Sequence, residues 1–400
     1  MEVPLMASPA SAIPLIERER VIRASFLGLI LFSLGHFFID LYSAALGTFQ
    51  PLLGPKLGLS LTRAGILGGL LVFSASVMQP VYGYLSDRFH TRLFSALAPA
   101  VAGIFISALG LAPTFGWLVA LVLLGGCGVA SFHPQASARA THGLAGNRGH
   151  WMAIFISAGT LGLAAGPIYF SAFVTWLGLQ RTYWAALPAI IITILLLALL
   201  PEHVRPAPHL RKHFDWQPLR AVWKPLTVLY FLVFIRSTVQ VVFGQFLPLY
   251  LNRERGFAFT NAAYSLTLYL AAGAIGGFLG GRMADRFGGR RVILISMAGC
   301  LPFAALFFLT SGVASMIGLA LTGLILLFTI PVNVVMAQEL VPAQAGTVSA
   351  LMMGFAWGMA GLIFIPLTGW AGDHFTLHHA LAALNLFPVI GFFLALKLPK

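Results

Sequence analysis

Apolar blocks of about 20 residues, broken by short polar turns, recur along the whole of this chain. None shows the two-residue alternation of a barrel strand. Since only helices and closed barrels satisfy the backbone in lipid, helices are the predicted elements. Twelve are expected, near 24–49, 63–85, 93–111, 116–138, 151–174 and 182–200, then 225–250, 261–283, 292–311, 314–338, 346–370 and 379–397. Pro201 to Lys224 is the only long polar stretch inside the chain, and it separates six spans from six. The expected organisation is an N-terminal segment 1–22, a six-helix bundle 23–200, a linker 201–224 and a second bundle 225–400. Residues 1–22 are mixed and polar, without the apolar core of a signal peptide, so the first span is expected to serve as its own insertion signal.

Composition agrees with that pattern. The chain is 59% hydrophobic and 9% charged, which a water-facing domain cannot sustain. The net charge of +13 would suggest a nucleic-acid partner in a soluble protein. Here the charges fall in short loops, and eighteen of the 24 Lys and Arg lie on the side of the linker and termini. Only Lys56, Arg63, Arg181, Arg253 and Arg255 lie on the other side, and Arg236 falls within a span. The positive-inside rule then predicts both termini in the cytoplasm of a multi-pass inner-membrane protein, with lipid and no nucleic acid as partner. Cys127 and Cys300 fall inside spans and read as small buried hydrophobes. The linker histidines His203, His209 and His213, and the group His374, His378 and His379, lack the companions of a metal cage and read as solvated polar positions.

An internal repeat is visible. Gly83-Tyr-Leu-Ser-Asp87-Arg88-Phe89-His-Thr-Arg92 follows span two, and Gly281-Arg-Met-Ala-Asp285-Arg286-Phe287-Gly-Gly-Arg290 follows span eight. The offset is 198 residues and five of the ten positions are identical. Duplication of a six-span unit explains this, as in many transporters. The glycines allow close helix approach, and the aspartates can pair with arginines in a breakable latch between conformations.

This loop motif, repeated in the second half of a twelve-span chain with a central loop, resembles the major facilitator superfamily. The resemblance implies two pseudo-symmetric six-helix bundles around a cavity, working by alternating access. Span five carries Gly159-Thr-Leu-Gly162-Leu-Ala-Ala-Gly166-Pro167. This flat face with a terminal kink is similar to the span-five motif of proton-coupled drug exporters. His36-Phe-Phe-Ile-Asp40, Gln50-Pro51-Leu52-Leu53, Gln79-Pro80-Val81-Tyr82-Gly83 and Phe132-His133-Pro134-Gln135 together resemble the fosmidomycin-resistance subfamily. That resemblance implies a proton-coupled antiporter exporting a small organic compound.

Charged and polar positions inside the spans supply the candidate chemistry. Ser33, His36, Asp40, Ser43 and Gly47 recur at helical spacing on one face of span one. A carboxylate at mid-membrane costs several kcal/mol unless it faces protein or water, so Asp40 is the candidate proton carrier and His36 its tuner. His133 is either a cavity ligand or a satisfied core histidine. Arg236, with Gln240 one turn on, needs an acid or an anionic substrate. Asp40 stands opposite position 238 in the repeat, so Arg236 could either exchange between Asp40 and an anion or form a fixed bridge with Asp40. Gln79, Asn333 and Ser43 complete the expected substrate wall, and Glu339 reads as a gate charge. No phosphate loop, nucleophile elbow or metal cage is present, so neither an enzyme nor a cofactor is expected. The expected function is a monomeric, proton-coupled exporter of a small, drug-like organic molecule, with anions among the candidates. An importer or uniporter of a metabolite is the alternative.

Overall fold

A computed structural model describes residues 15–89, 91–141, 144, 148–200 and 216–398. His203, His209 and His213 lie outside the described residues, as does the side chain of Asp87.

Twelve helices among the described residues are long and apolar enough to cross a membrane. They are α1 (Ser25–Leu57), α2 (Leu61–Ser86), α3 (Leu93–Leu111), α4 (Phe115–Arg139), α5 (His150–Leu177) and α6 (Leu179–Leu199). The second six are α7 (Trp223–Arg253), α8 (Phe259–Phe287), α9 (Gly289–Leu309), α10 (Gly312–Leu340), α11 (Ala345–His374) and α12 (Leu377–Ala395). All twelve coincide with the expected spans, eleven to within a few residues, while α1 runs eight residues past its expected end at 49. The expected window stops where apolar residues stop, whereas the helices continue through capped polar termini. Ser60 caps α2 by accepting from the Arg63 amide, and Thr376 caps α12 by accepting from that of His379. The tight turn after α1 uses Gly58 at φ 59°, a conformation in which a Cβ would be strained.

The first six helices bury one core, with Tyr42, Phe49, Phe132 and Phe170 fully enclosed. Tyr42 and Tyr169 both donate to the Ala185 carbonyl and so tie α1 and α5 to the start of α6. Glycines let α5 lie against α1. A Cβ at Gly162 would strike the Phe37 carbonyl, and one at Gly166 the Leu41 carbonyl.

The bundles meet at the end carrying the α1–α2 and α7–α8 turns. Gly65 abuts the Ile365 carbonyl, Gly69 abuts Pro366, and Gly47 meets the Gly244 carbonyl, so α2–α11 and α1–α7 approach almost backbone to backbone. Gly47, on the same face of span one as Asp40, is part of this seal. Asp373 closes the same end. Its carboxylate accepts from the amides of Leu61 and Thr62, at 2.8 Å each, and from the Thr62 hydroxyl at 2.6 Å. An acid from one bundle thus caps the helix N-terminus of the other.

At the opposite end, the glycines that open the repeated loops face partners in their own bundle. Gly83 faces Pro134 at 3.5 Å and Gly281 faces Pro331 at 3.7 Å, counted from where a Cβ would stand. The two loops are also pinned alike. Arg92 donates to the Leu200 carbonyl at the end of α6, and Arg290 to the Leu396 carbonyl just after α12, the latter at 2.8 Å. Arg92 and Arg290, two of the four expected latch arginines, therefore cap helices within their own bundle. Asp285 is exposed and makes no ion pair among the described residues. Arg286 lies over the ring of Phe287, as Arg88 does over Phe89.

Candidate functional site

The loops and glycine contacts set the depth at which α1, α4 and α5 bring three ionisable groups together. Asp40 lies one turn before the break in α1 at Ala44, where Ser43 bonds back to the Asp40 carbonyl. His36 Nε2 stands 3.3 Å from Asp40 Oδ2, and His133 Nε2 from α4 stands 3.4 Å from Asp40 Oδ1. The cluster is therefore a triad, and His133 belongs to it.

Each imidazole is fixed from behind. His36 Nδ1 lies 2.8 Å from the Phe155 carbonyl, and His133 Nδ1 lies 2.8 Å from that of Val129. A carbonyl only accepts, so both Nδ1 atoms must carry hydrogen. Each Nε2 then either bears a proton aimed at the carboxylate or turns a lone pair on an anionic oxygen. The second arrangement is repulsive, so protons complete the site. The His36 ring stacks on Phe155 at 4.3 Å and meets the His133 ring edge-on at 5.1 Å. Gly159 makes room, because a Cβ there would collide with His36 Nε2 and Asp40 Oδ2. The first glycine of the span-five motif is thus the floor of the triad. The three donor atoms lie within 4.8 Å of one another, and the same set could hold a first-row metal ion. The Asp40 side chain keeps 20% of its exposure, which gives the site an outlet.

Arg236 occupies the facing bundle and is 4% exposed. Its Nη1 donates to Gln240 Oε1 at 2.8 Å, and the guanidinium stands 5.6 Å over the Trp357 ring. Its Nε has no partner. The Arg236–Asp40 pair suggested by the repeat register is not formed, since Asp40 is turned toward α4 and α5, where two imidazoles already meet its charge. The fully buried Tyr269 on α8 stacks on Phe243 at 5.4 Å, and its hydroxyl also lacks a partner.

The other expected site residues divide. Gln79 bonds back to the Ala75 carbonyl, with Oε1 3.8 Å from where a Gly354 Cβ would stand, so it faces the other bundle. Asn333 is fully buried with both amide atoms unpartnered. Gln135, from the same motif as His133, is a strut. It accepts from the Ser95 amide and donates to Ser86 and to the Thr91 carbonyl, which fastens the α2–α3 loop to α4. His374, His378 and His379 engage the Trp370 carbonyl, Tyr250 and Thr376 respectively, and the His378 and His379 rings meet edge-on at 5.5 Å. Cys300 is buried and Cys127 partly so, both as free thiols. Tyr269 and Trp357 were not anticipated, because an aromatic residue in an apolar span carries no sign that its polar atom lacks a partner.

Comparison with known proteins agrees with this architecture. Residues 32–366 match the Major Facilitator Superfamily profile. The chain is 31% identical over 382 residues to the uncharacterized MFS-type transporter YfnC of Bacillus subtilis (strain 168), covering 93% of this chain and 92% of that one. It is 28% identical to the fosmidomycin resistance protein of Escherichia coli (strain K12), covering 92% of each. Among solved structures, a bacterial homolog of the human lysosomal transporter Spinster, inward-facing and occupied, superposes with TM-score 0.79 at 16% identity over 92% of this chain and 95% of that one. The nucleoside transporter NupG superposes with TM-score 0.78 at 14% identity over 94% of this chain and 100% of that one. The twelve spans, the repeated loop and a profile match across most of its length make this chain a member of the Major Facilitator Superfamily.

Proposed function

We propose that this transporter is a proton-coupled antiporter that exports a small organic molecule, with the His36–Asp40–His133 triad as its proton site. The observation that carries the reading is the triad's hydrogen-bond arithmetic. Two imidazoles donate Nδ1–H to fixed carbonyls and turn Nε2 toward one carboxylate, and protons lying between them relieve the lone-pair repulsion. Such a group, at mid-membrane and partly open to a cavity, can load protons in one conformation and release them in the other. The basic loops lie at the end opposite the cross-bundle seal, which the positive-inside rule assigns to the cytoplasm, so we read the described conformation as inward-facing. The 28% identical relative is named for fosmidomycin resistance, which favours export.

The test is transport in proteoliposomes with an imposed pH gradient, using fosmidomycin as probe. The substrate is expected to move against the proton flow and to stop when the gradient is collapsed by a protonophore. Asp40→Asn should abolish this gradient-driven flux while exchange of labelled for unlabelled substrate continues. Substrate and protons moving together would establish the importer instead. Undiminished gradient-driven flux in Asp40→Asn would remove the triad from the proposal.

A further inference from the structure

We propose that Arg236, with Tyr269 and Gln240, forms the seat of an anionic headgroup, and that the transported molecule is therefore a small organic oxyanion: a carboxylate, sulfonate or phosphonate. The inference rests on the transport reading above and names its substrate class.

A guanidinium carries five N–H donors and no acceptor. Buried in a membrane span it is costly, and proteins ordinarily answer it with a carboxylate. Here the first bundle's acid is committed to two histidines, and the ion pairs among the described residues leave Arg236 without one. Neutral Gln240 takes one N–H and the Trp357 face covers the plane, while Nε remains buried and unpartnered. The Tyr269 hydroxyl is a second buried group lacking a partner, on a ring stacked against Phe243, two turns along α7 from Arg236. Two donors without an acceptor beside a permanent cation call for a ligand rich in acceptors and negative in charge. A planar or tetrahedral oxyanion offers two or more oxygens to a guanidinium fork, and this is the geometry arginine matches better than lysine.

Gln240 and Trp357 then hold the fork in one orientation, Gln240 through the end of the guanidinium and Trp357 through its face. The anion seat lies in the second bundle and the proton triad in the first. Substrate and proton are thus held on opposite walls of the cavity. Their coupling runs through which end is closed, in place of an exchange of Asp40 and substrate at one arginine. Relatives at 25% and 26% identity are named as a probable sulfoacetate transporter and a probable nitrate/nitrite transporter, whose named substrates are anions.

The test is thermal stabilisation of the purified full-length protein by sulfoacetate and phosphonoacetate, with acetamide and tetramethylammonium as neutral and cationic probes. The anions should stabilise the wild type and the other two should not. Tyr269→Phe, which keeps the ring stack, and Arg236→Lys, which keeps the charge, should each weaken the anion's apparent affinity roughly tenfold, the scale of one charge-assisted hydrogen bond. Asp40→Asn should leave anion stabilisation intact. Loss of proton coupling without loss of anion binding therefore separates this inference from the proton reading. The inference is overturned if neither anion stabilises the wild type, if acetamide or tetramethylammonium does so equally, or if both variants bind the anions as the wild type does.

Discussion

At the residue scale the account turns on how donors and acceptors are matched. His133 and His36 hold Asp40 through identical chemistry, Nδ1 to a carbonyl and Nε2 to the carboxylate, so neither is a bystander. His133→Gln should therefore impair coupling in the same sense as His36→Gln. We expect gradient-driven flux to fall about 5- to 150-fold, the usual range of a lost coupling energy, while binding measured by thermal shift changes little. Equal flux in His133→Gln and wild type would make His133 a structural residue. Gly159 offers a second test. Gly159→Ala drives a methyl into His36 and Asp40, a clash expected to cost about 1–3 kcal/mol in unfolding experiments. Gly28→Ala, whose Cβ would meet nothing within 4 Å, is the control and should not destabilise, since an interior helical Gly→Ala with free space gains up to about 1 kcal/mol. Asp40 and His36 were legible in the sequence because ionisable residues in an apolar run are rare. The meaning of Gly159 was not, because a glycine's role depends on what stands opposite it, and that belongs to another helix.

At the element scale, two of the four helices that seal one end also carry irregularities suited to opening it. α2 passes through a π-helical turn over Phe73–Val77, and α11 through another over Leu351–Ala356. Gly358, just past the second turn, packs against Val77 and Ser76 at the end of the first. Wide turns of this kind commonly mark functional hinges, and here they face one another near where the bundles begin to part. Above them, Asp373 caps the N-terminus of α2 with three hydrogen bonds. Asp373→Ala removes this cap and should weaken the seal by about 1–3 kcal/mol, shifting the population toward the state closed at the other end. Spin labels at Arg63→Cys and Phe375→Cys would show it as a longer distance component in Asp373→Ala, and an unchanged distribution would show that the glycine contacts alone hold the end shut. The twelve helices were legible because span length is set by bilayer thickness. The π-turns and the cross-bundle cap were not, because both answer to a partner helix some 300 residues away in sequence, as the Leu61–Asp373 bond illustrates.

At the scale of the whole molecule, duplication explains both the likeness of the bundles and their division of labour. Arg92 and Arg290 cap corresponding helix ends, and Arg88 and Arg286 lie over corresponding phenylalanines. The centres have diverged, one wall bearing an acid between two histidines and the other an arginine without an acid. The sequence register invited a bond between them. The fold places them on separate walls with their polar needs met differently, which converts a proposed exchange at one residue into coupling through the alternation of gates. The most direct measurement of that claim is proton movement driven by substrate alone. Vesicles containing the transporter and a trapped pH dye, loaded with fosmidomycin and diluted into substrate-free medium at equal pH, should show protons moving against the outward substrate flux in wild type and none in Asp40→Asn. Substrate efflux without proton movement in the wild type, or with protons moving alongside it, would contradict the account.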